Sequence, residues 1–195
     1  MKRIIATVTN DLTFDRRMQR ICRTLASNGY EVTLVGRQLG NSKPLANEPY
    51  QQHRLACWFN KGKLFYAEYN LRLMWYLIWQ KTDIVCAIDL DTIVPCFTVG
   101  GWKGWTKVYD AHEYFSEVPE VVDRPQVKKI WEWVADKYIP KADLAYTVGP
   151  ALAGIFTDRY GTPFHTIRNV PDEVALPPTP KTGGYLLYQG ALNKG

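Results

Sequence analysis

The chain has 195 residues, of which 46% are hydrophobic and 22% charged, with 24 Lys and Arg against 19 Asp and Glu for a formal net charge of +5. These proportions exclude intrinsic disorder, a collagen-like repeat and a small disulfide-stapled fold, and they suffice for one buried core or one and a fraction. The modest basic excess favours anionic partners, but there is no arginine-rich tract and no nucleic-acid module, so nucleic acid is not expected as a partner.

Ile4 to Val8 is a short apolar run of the kind a doubly buried strand shows. Asn10 or Asp11 is then expected to cap a helix carrying Phe14, Met18, Ile21, Cys22 and Leu25 at helical spacing, closed by Asn28-Gly29. Glu31 to Val35 completes a strand–helix–strand unit. Residues 37 to 50 read as loop, and His53 to Phe59 as a third strand. Lys63 to Gln80, rich in Leu and aromatics without Pro or internal Gly, predicts a long, mostly buried helix. A buried strand at Asp83 to Ile88 and a helix from about Leu90 to Val99 follow, with Gly100-Gly101-Trp102-Lys103-Gly104 read as a turn.

Thr106 to Asp110 predicts a strand ending at His112-Glu113, and a helix runs from about Gln126 to Tyr138. Leu144 to Val148 is a strand, Pro150 opens a helix that Tyr160-Gly161 closes, and Phe164 to Arg168 is one more strand. Residues 171 to 184 have the Pro- and Gly-rich composition of a linker, and Tyr185 to Tyr188 reads as a fresh strand. The expected organisation is one domain over 1–170, a linker over 171–184, and the first strand of a second, truncated domain over 185–195. The alternation predicts an α/β Rossmann-like fold: an open, mainly parallel sheet with helices on both faces and a ligand at the carboxyl ends of its strands.

No GxGxxG follows a strand, and Gly36 to Lys43 only faintly echoes a phosphate loop, with Lys and Ser in the wrong order. The turn from Thr9 to Arg17 offers amides and Arg16 or Arg17 to an anion; equally, the Arg16, Arg20 and Arg23 series reads as a solvated, ion-paired face. Asp110-Ala111-His112-Glu113 stands at a strand end, where an imidazole can meet a polar substrate and its acidic neighbours can orient it. His53 and His165 lack such company and read as structural. The Lys- and Trp-rich segment from Lys128 to Lys141 could rest on an anionic membrane, although Glu132 and Asp136 favour a helix that packs Trp131 on the sheet. Four cysteines at 22, 57, 86 and 96 have neither metal-ligand spacing nor a CxxC pair, and they read as reduced, buried residues of a cytoplasmic protein.

Together these segments resemble family 4 (group 1) glycosyltransferases. Asn10-Asp11 with Asp15-Arg16-Arg17 and then Gly29 to Arg37 resembles the family's opening; Tyr109 to Pro119 and Ala142 to Gly149, followed by Tyr160-Gly161 and Ile167 to Asp172, resemble its central segment; and Leu187 to Gly195 is similar to the strand that opens its second domain. The resemblance implies a GT-B enzyme of two Rossmann-like domains facing a cleft. Such an enzyme moves a sugar from a nucleotide sugar to a glycan or lipid-linked acceptor with retention of configuration, without an essential metal or other cofactor. It implies His112 as the cleft histidine that contacts the donor sugar, and Asn10, Asp11, Asn169 and Lys194 as donor contacts. Asp15, Arg16 and Glu113 are the expected acceptor contacts. Thr9-Asn10-Asp11 replaces the family's Gly-Gly pair, and Val170-Pro171 follows Asn169 where Gly is usual. A surface polysaccharide or glycolipid is the expected product, at the inner face of a membrane, and the isolated chain is expected to be inactive. A GT-B nucleotide-sugar epimerase and a noncatalytic glycan- or partner-binding module are the alternatives.

Overall fold

A computed structural model describes residues 1–115, 121 and 123–170 of the chain. The expected linker, the strand at 185–188 and Lys194 lie outside the described residues. Seven parallel strands form one sheet: β1 (Arg3–Thr7), β2 (Glu31–Gln38), β3 (Gln51–Ala56), β4 (Ile84–Ile88), β5 (Thr106–Ala111), β6 (Leu144–Thr147) and β7 (Phe164–Thr166). Their spatial order is β3-β2-β1-β4-β5-β6-β7. The order reverses at β1, which pairs with β2 on one side and β4 on the other, as in Ala6 beside Leu34 and Cys86. The carboxyl ends of β1 and β4 therefore flank the crevice where open parallel sheets hold their ligands.

Strands covered on both faces are apolar where they are buried, as Ile4–Ala6 of β1, Leu34 and Val35 of β2 and all of β4 are. One face is covered by α1 (Arg16–Ser27), whose Met18 and Cys22 pack with Val8, Leu12 and Leu34. The other carries α2 (Gly62–Ile78), α3 (Leu90–Lys103), α4 (Pro125–Tyr138) and α5 (Pro150–Tyr160). There Phe65, Tyr69, Leu73 and Leu77 of α2 meet Ile93, Cys96 and Phe97 of α3 and Val134 of α4. Cys22, Cys86 and Cys96 are buried and all four cysteines are free thiols; burial pushes the Cys22 and Cys96 thiols up to about 12.

Several boundaries differ from the expected ones, each for a physical reason. Helix α1 starts at Arg16, not after Asn10 or Asp11, because the Asp15 carboxylate accepts a bond from the Met18 amide at 3.0 Å. Phe14 thus precedes the helix and is 65% exposed instead of facing the core. The freed segment crosses β2, where Gly36 allows it to lie flat: a Cβ there would stand 2.3 Å from Leu12 and 2.7 Å from the Asn10 carbonyl. Helix α3 continues through Gly100 and Gly101 and ends only at a left-handed Gly104. Gly100 is a packing glycine, since a Cβ would come within 3.0 Å of Val85 on β4. The largest departure concerns α2. Its inner face is buried as expected, but its outer face exposes Leu64, Leu71, Trp75 and Trp79.

Candidate active site

Four polypeptide segments meet at the carboxyl edge of the sheet beside the β1/β4 reversal. After β1 comes Thr9, whose hydroxyl bonds the Asp91 carboxylate in the first turn of α3, linking the two sides of the crevice. Asn70 on α2 donates to the Asp91 carbonyl at 2.9 Å. Burial pushes the Asp91 carboxyl up to about 6, and the Thr9 bond only partly opposes this.

Asp89, between β4 and α3, has φ 56° and ψ 178°, a region that glycine alone enters without strain. Its amide donates to the Asp110 carbonyl at 2.9 Å, and its carboxylate accepts the His112 amide at 2.8 Å. The strained backbone thus ties the end of β4 to the end of β5. Burial raises the Asp89 carboxyl well above its usual range, and the neighbouring Asp91 charge adds to this.

Arg17, in the first turn of α1, reaches under the edge to Asp110, with two nearly parallel bonds of 2.8 and 2.7 Å. The pair is enclosed, Asp110 at 0% and Arg17 at 7% exposure. Charge-assisted bidentate bonds and desolvation make such a pair rigid and costly to break. The expectation of a solvated, ion-paired arginine face holds for Arg23, which pairs with Glu48, whereas Arg17, expected to offer its charge to an anion, is committed to Asp110 instead. Charge alone does not separate Arg17 from its neighbours; its spacing from Ile21 and Leu25, i+4 and i+8 along α1 and both packed against the core, is the signal that could have.

His112 stands on this base. Its Nδ1 lies 3.5 Å from the Asp89 carboxylate, and its Nε2 is buried with no hydrogen-bond partner among the described residues. Burial lowers its pKa, the Arg17 guanidinium lowers it further, and Asp110 opposes them. The ring is therefore neutral at neutral pH. With the proton on the Asp89 side, Nε2 is an acceptor, suited to a hydroxyl and not to a phosphate oxygen.

The other expected site residues fall in different places. Asn10 is exposed beside the crevice, and its amide lies 3.5 Å from Asp15. Asp15 is used as the α1 cap. Asp11 is 4% exposed and turned away, accepting from Arg54 at 2.6 Å, from the Thr13 amide and from Ser42. Burial would raise its pKa, but these bonds outweigh burial and hold it at about 2. The geometry gives Asp11 the task of fastening the first loop to β3. Arg16 and Glu113 are exposed at the rim. Asn169, beyond β7, accepts from Arg20 of α1, so two segments far apart in sequence share one rim. His53 is stacked on Tyr76, as a structural histidine would be, and His165 is exposed on β7. Among the described residues, no group of three or more His, Cys, Asp or Glu side chains is arranged to hold a metal ion.

An all-parallel sheet that reverses at β1, with polar groups gathered at its carboxyl edge, defines a Rossmann-like α/β domain of the kind found in the amino-terminal halves of GT-B glycosyltransferases. The chain belongs to glycosyltransferase family 4, whose profile matches residues 15–173. No curated protein matches the sequence. Among solved structures, it is similar to sucrose-phosphate synthase from Thermosynechococcus elongatus at 12% identity and a TM-score of 0.61, covering 86% of this chain and 48% of that one. It is also similar to Phytolacca americana UGT2 complexed with UDP-2fluoro-glucose and pterostilbene, at 9% identity and a TM-score of 0.64, over 89% and 55% of the two chains. Anabaena HepE in complex with UDP-glucose matches at 13% identity and a TM-score of 0.60, over 88% and 45%. The chain thus spans about half the length of these three proteins. At such identities the likeness is one of fold.

Proposed function

We propose that this chain forms the acceptor-side half of a retaining glycosyltransferase, which moves a sugar from a nucleotide sugar to a glycan or lipid-linked acceptor in the synthesis of a surface polysaccharide or glycolipid. The observation that carries the reading is the Nε2 of His112, buried and without a partner among the described residues, with its backbone held by Asp89 beside the Arg17–Asp110 pair. A fixed neutral acceptor at a strand end binds one hydroxyl of the donor sugar and leaves the anomeric carbon open to the acceptor. Retaining transfer needs a stabilised leaving phosphate, an oxocarbenium-like transition state and an acceptor hydroxyl held on the departing face, and positioning supplies much of this. Asn10 and Asn169 offer neutral amides at the donor side of the rim, and Arg16 and Glu113 offer charge to an acceptor. The reading places the reaction at the cytoplasmic face and requires neither a resident metal nor another cofactor.

The half-length match to nucleotide-sugar-bound relatives supports a second wall of the cleft contributed by a further domain. Assay of the full-length protein with nucleotide sugars tests the proposal: His112→Ala, still folded, is expected to lose about a hundred-fold or more in transfer, whereas unchanged transfer would overturn it. Product release from the nucleotide sugar without any acceptor, giving an epimer, would move the activity to the epimerase reading. The 195-residue chain alone is expected to show no turnover, and detectable transfer by it would refute the half-site view.

A further inference from the structure

Helix α2 carries hydrophobic side chains on the face that should be polar. Its inner positions, Phe65, Tyr69, Leu73 and Leu77, are buried in the core. Its outer stripe exposes Leu64 by 60%, Leu71 by 68%, Trp75 by 65% and Trp79 by 69%. These lie at i, i+7, i+11 and i+15, one continuous line along a helix about 25 Å long. A helix that is apolar all round is normally buried on all sides. Leu71, Trp75 and Trp79 also wall a groove of about 510 Å³ against Leu55 and Arg54 of β3, the edge strand of the sheet. At the far end of α2, Lys103 donates to the carbonyls of Ile78 and Gln80, which joins the end of α3, with its exposed Trp102, to the end of α2.

The lysines that flank this stripe outnumber the carboxylates near it. Lys61 and Lys63 are exposed at the start of α2 and Lys81 just past its end. The nearby carboxylates are committed: Glu68 accepts from Arg72 and from the amides of Trp58 and Phe59, and Asp83 accepts from the Arg3 amide. A second copy docked antiparallel on this face would set Lys61 and Lys63 of one chain against Lys81 of the other, which is repulsive. A domain facing the candidate site would cover the carboxyl edge of the sheet, whereas Trp75, Trp79 and Trp102 lie toward the opposite edge. Exposed tryptophans flanked by lysines match a bilayer surface, where the rings occupy the headgroup level and the lysine stems reach anionic lipid. Helix α4 is the weaker candidate, because Glu132 and Asp136 interleave with its lysines and its Trp131 packs against Tyr66 and Phe115.

We infer that the outer face of α2 is a peripheral docking surface for an anionic phospholipid bilayer. No helix among the described residues is long and apolar enough to cross a membrane, so the contact lies in the interfacial plane. The inference is independent of the transfer chemistry.

Flotation of the full chain with phosphatidylcholine vesicles, with and without phosphatidylglycerol, tests it directly. The chain is expected to float with the anionic vesicles, with its tryptophan emission quenched by brominated lipid. The triple variant Leu71→Ser, Trp75→Ser, Trp79→Ser is expected to lose binding at least about ten-fold with an unchanged circular dichroism spectrum. Should that variant unfold, Lys61→Gln, Lys63→Gln, Lys81→Gln decides instead, with an expected loss of about five-fold per lysine on anionic vesicles. The α4 variant Lys129→Gln, Trp133→Ser is expected to bind as the parent does. Absence of flotation, an equal loss in the α4 variant, or a concentration-dependent dimer that the α2 variant abolishes would each overturn the proposal.

Discussion

The carboxyl edge of the sheet and the outer face of α2 break the same rule in opposite directions. At the edge, Asp110 and Arg17 are charged and enclosed, with Asp91 buried beside them. On α2, Leu71, Trp75 and Trp79 are apolar and exposed. Both arrangements cost stability relative to the reverse placement, since buried charge loses hydration and exposed apolar surface orders water. The difference lies in what offsets the cost. The edge is compensated internally, by bidentate bonds and a shared network that also holds a strained turn in place, and so constitutes a preorganised site. The α2 face has no compensation within the described residues, which is why it reads as a surface for something outside the domain.

The largest expected effect breaks the internal compensation. Asp110→Ala or Arg17→Ala leaves one buried charge unpaired and is expected to cost about 3–5 kcal/mol, while the double variant Arg17→Met, Asp110→Leu recovers most of that loss. Urea unfolding of the three variants checks this, and a near-additive double variant would show that the pair is not an isolated unit. The next effect separates the two faces of α2. Leu73→Ala, fully buried, is expected to cost about 2–5 kcal/mol, whereas Leu71→Ala, two positions away and 68% exposed, stays within about 0.5 kcal/mol. Equal losses would mean that the outer face is packed against protein.

The parallel sheet was legible because its strands are short apolar runs separated by helical spacing, and the His112 strand end was legible because it follows Asp110 directly. Three features were not. Arg17 sits in a row with Arg16, Arg20 and Arg23, and charge alone does not say which guanidinium turns inward. Asp89 looks like any acidic helix cap, since nothing in its identity announces a positive φ. The α2 face was misread as core because Leu and Trp carry the same hydrophobic signal on either side of a helix. Burial depends on which neighbours exist, and only tertiary structure supplies them.

A smaller effect tests the electrostatics of the edge through pH. Burial raises the folded Asp91 carboxyl to about 6, above its ordinary 3.8, so the folded state holds this proton more tightly than the unfolded one. Its contribution to stability is fully present below pH 3.8 and is lost as pH rises through about 6. Asp91→Asn removes that loss and is expected to gain roughly 1–3 kcal/mol at pH 8 relative to the parent, with no gain at pH 4. Thermal unfolding across that range reads the difference, and a gain independent of pH would place the effect in packing instead of ionisation.

The smallest effect dissects the strained turn. At φ 56° Asp89 bears a backbone cost of about 1–3 kcal/mol, which Asp89→Gly relieves and Asp89→Ala retains. Both variants lose the carboxylate that accepts the His112 amide. The glycine variant also has a more flexible unfolded chain, which takes back part of the relief. It is therefore expected to be more stable than the alanine variant by about 1 kcal/mol. If the carboxylate is what orients the imidazole, transfer by the full-length protein falls in both variants despite that difference. Should the glycine variant keep full transfer while the alanine variant loses it, the turn would act through its backbone path alone, and His112 would owe its position to β5 and not to Asp89.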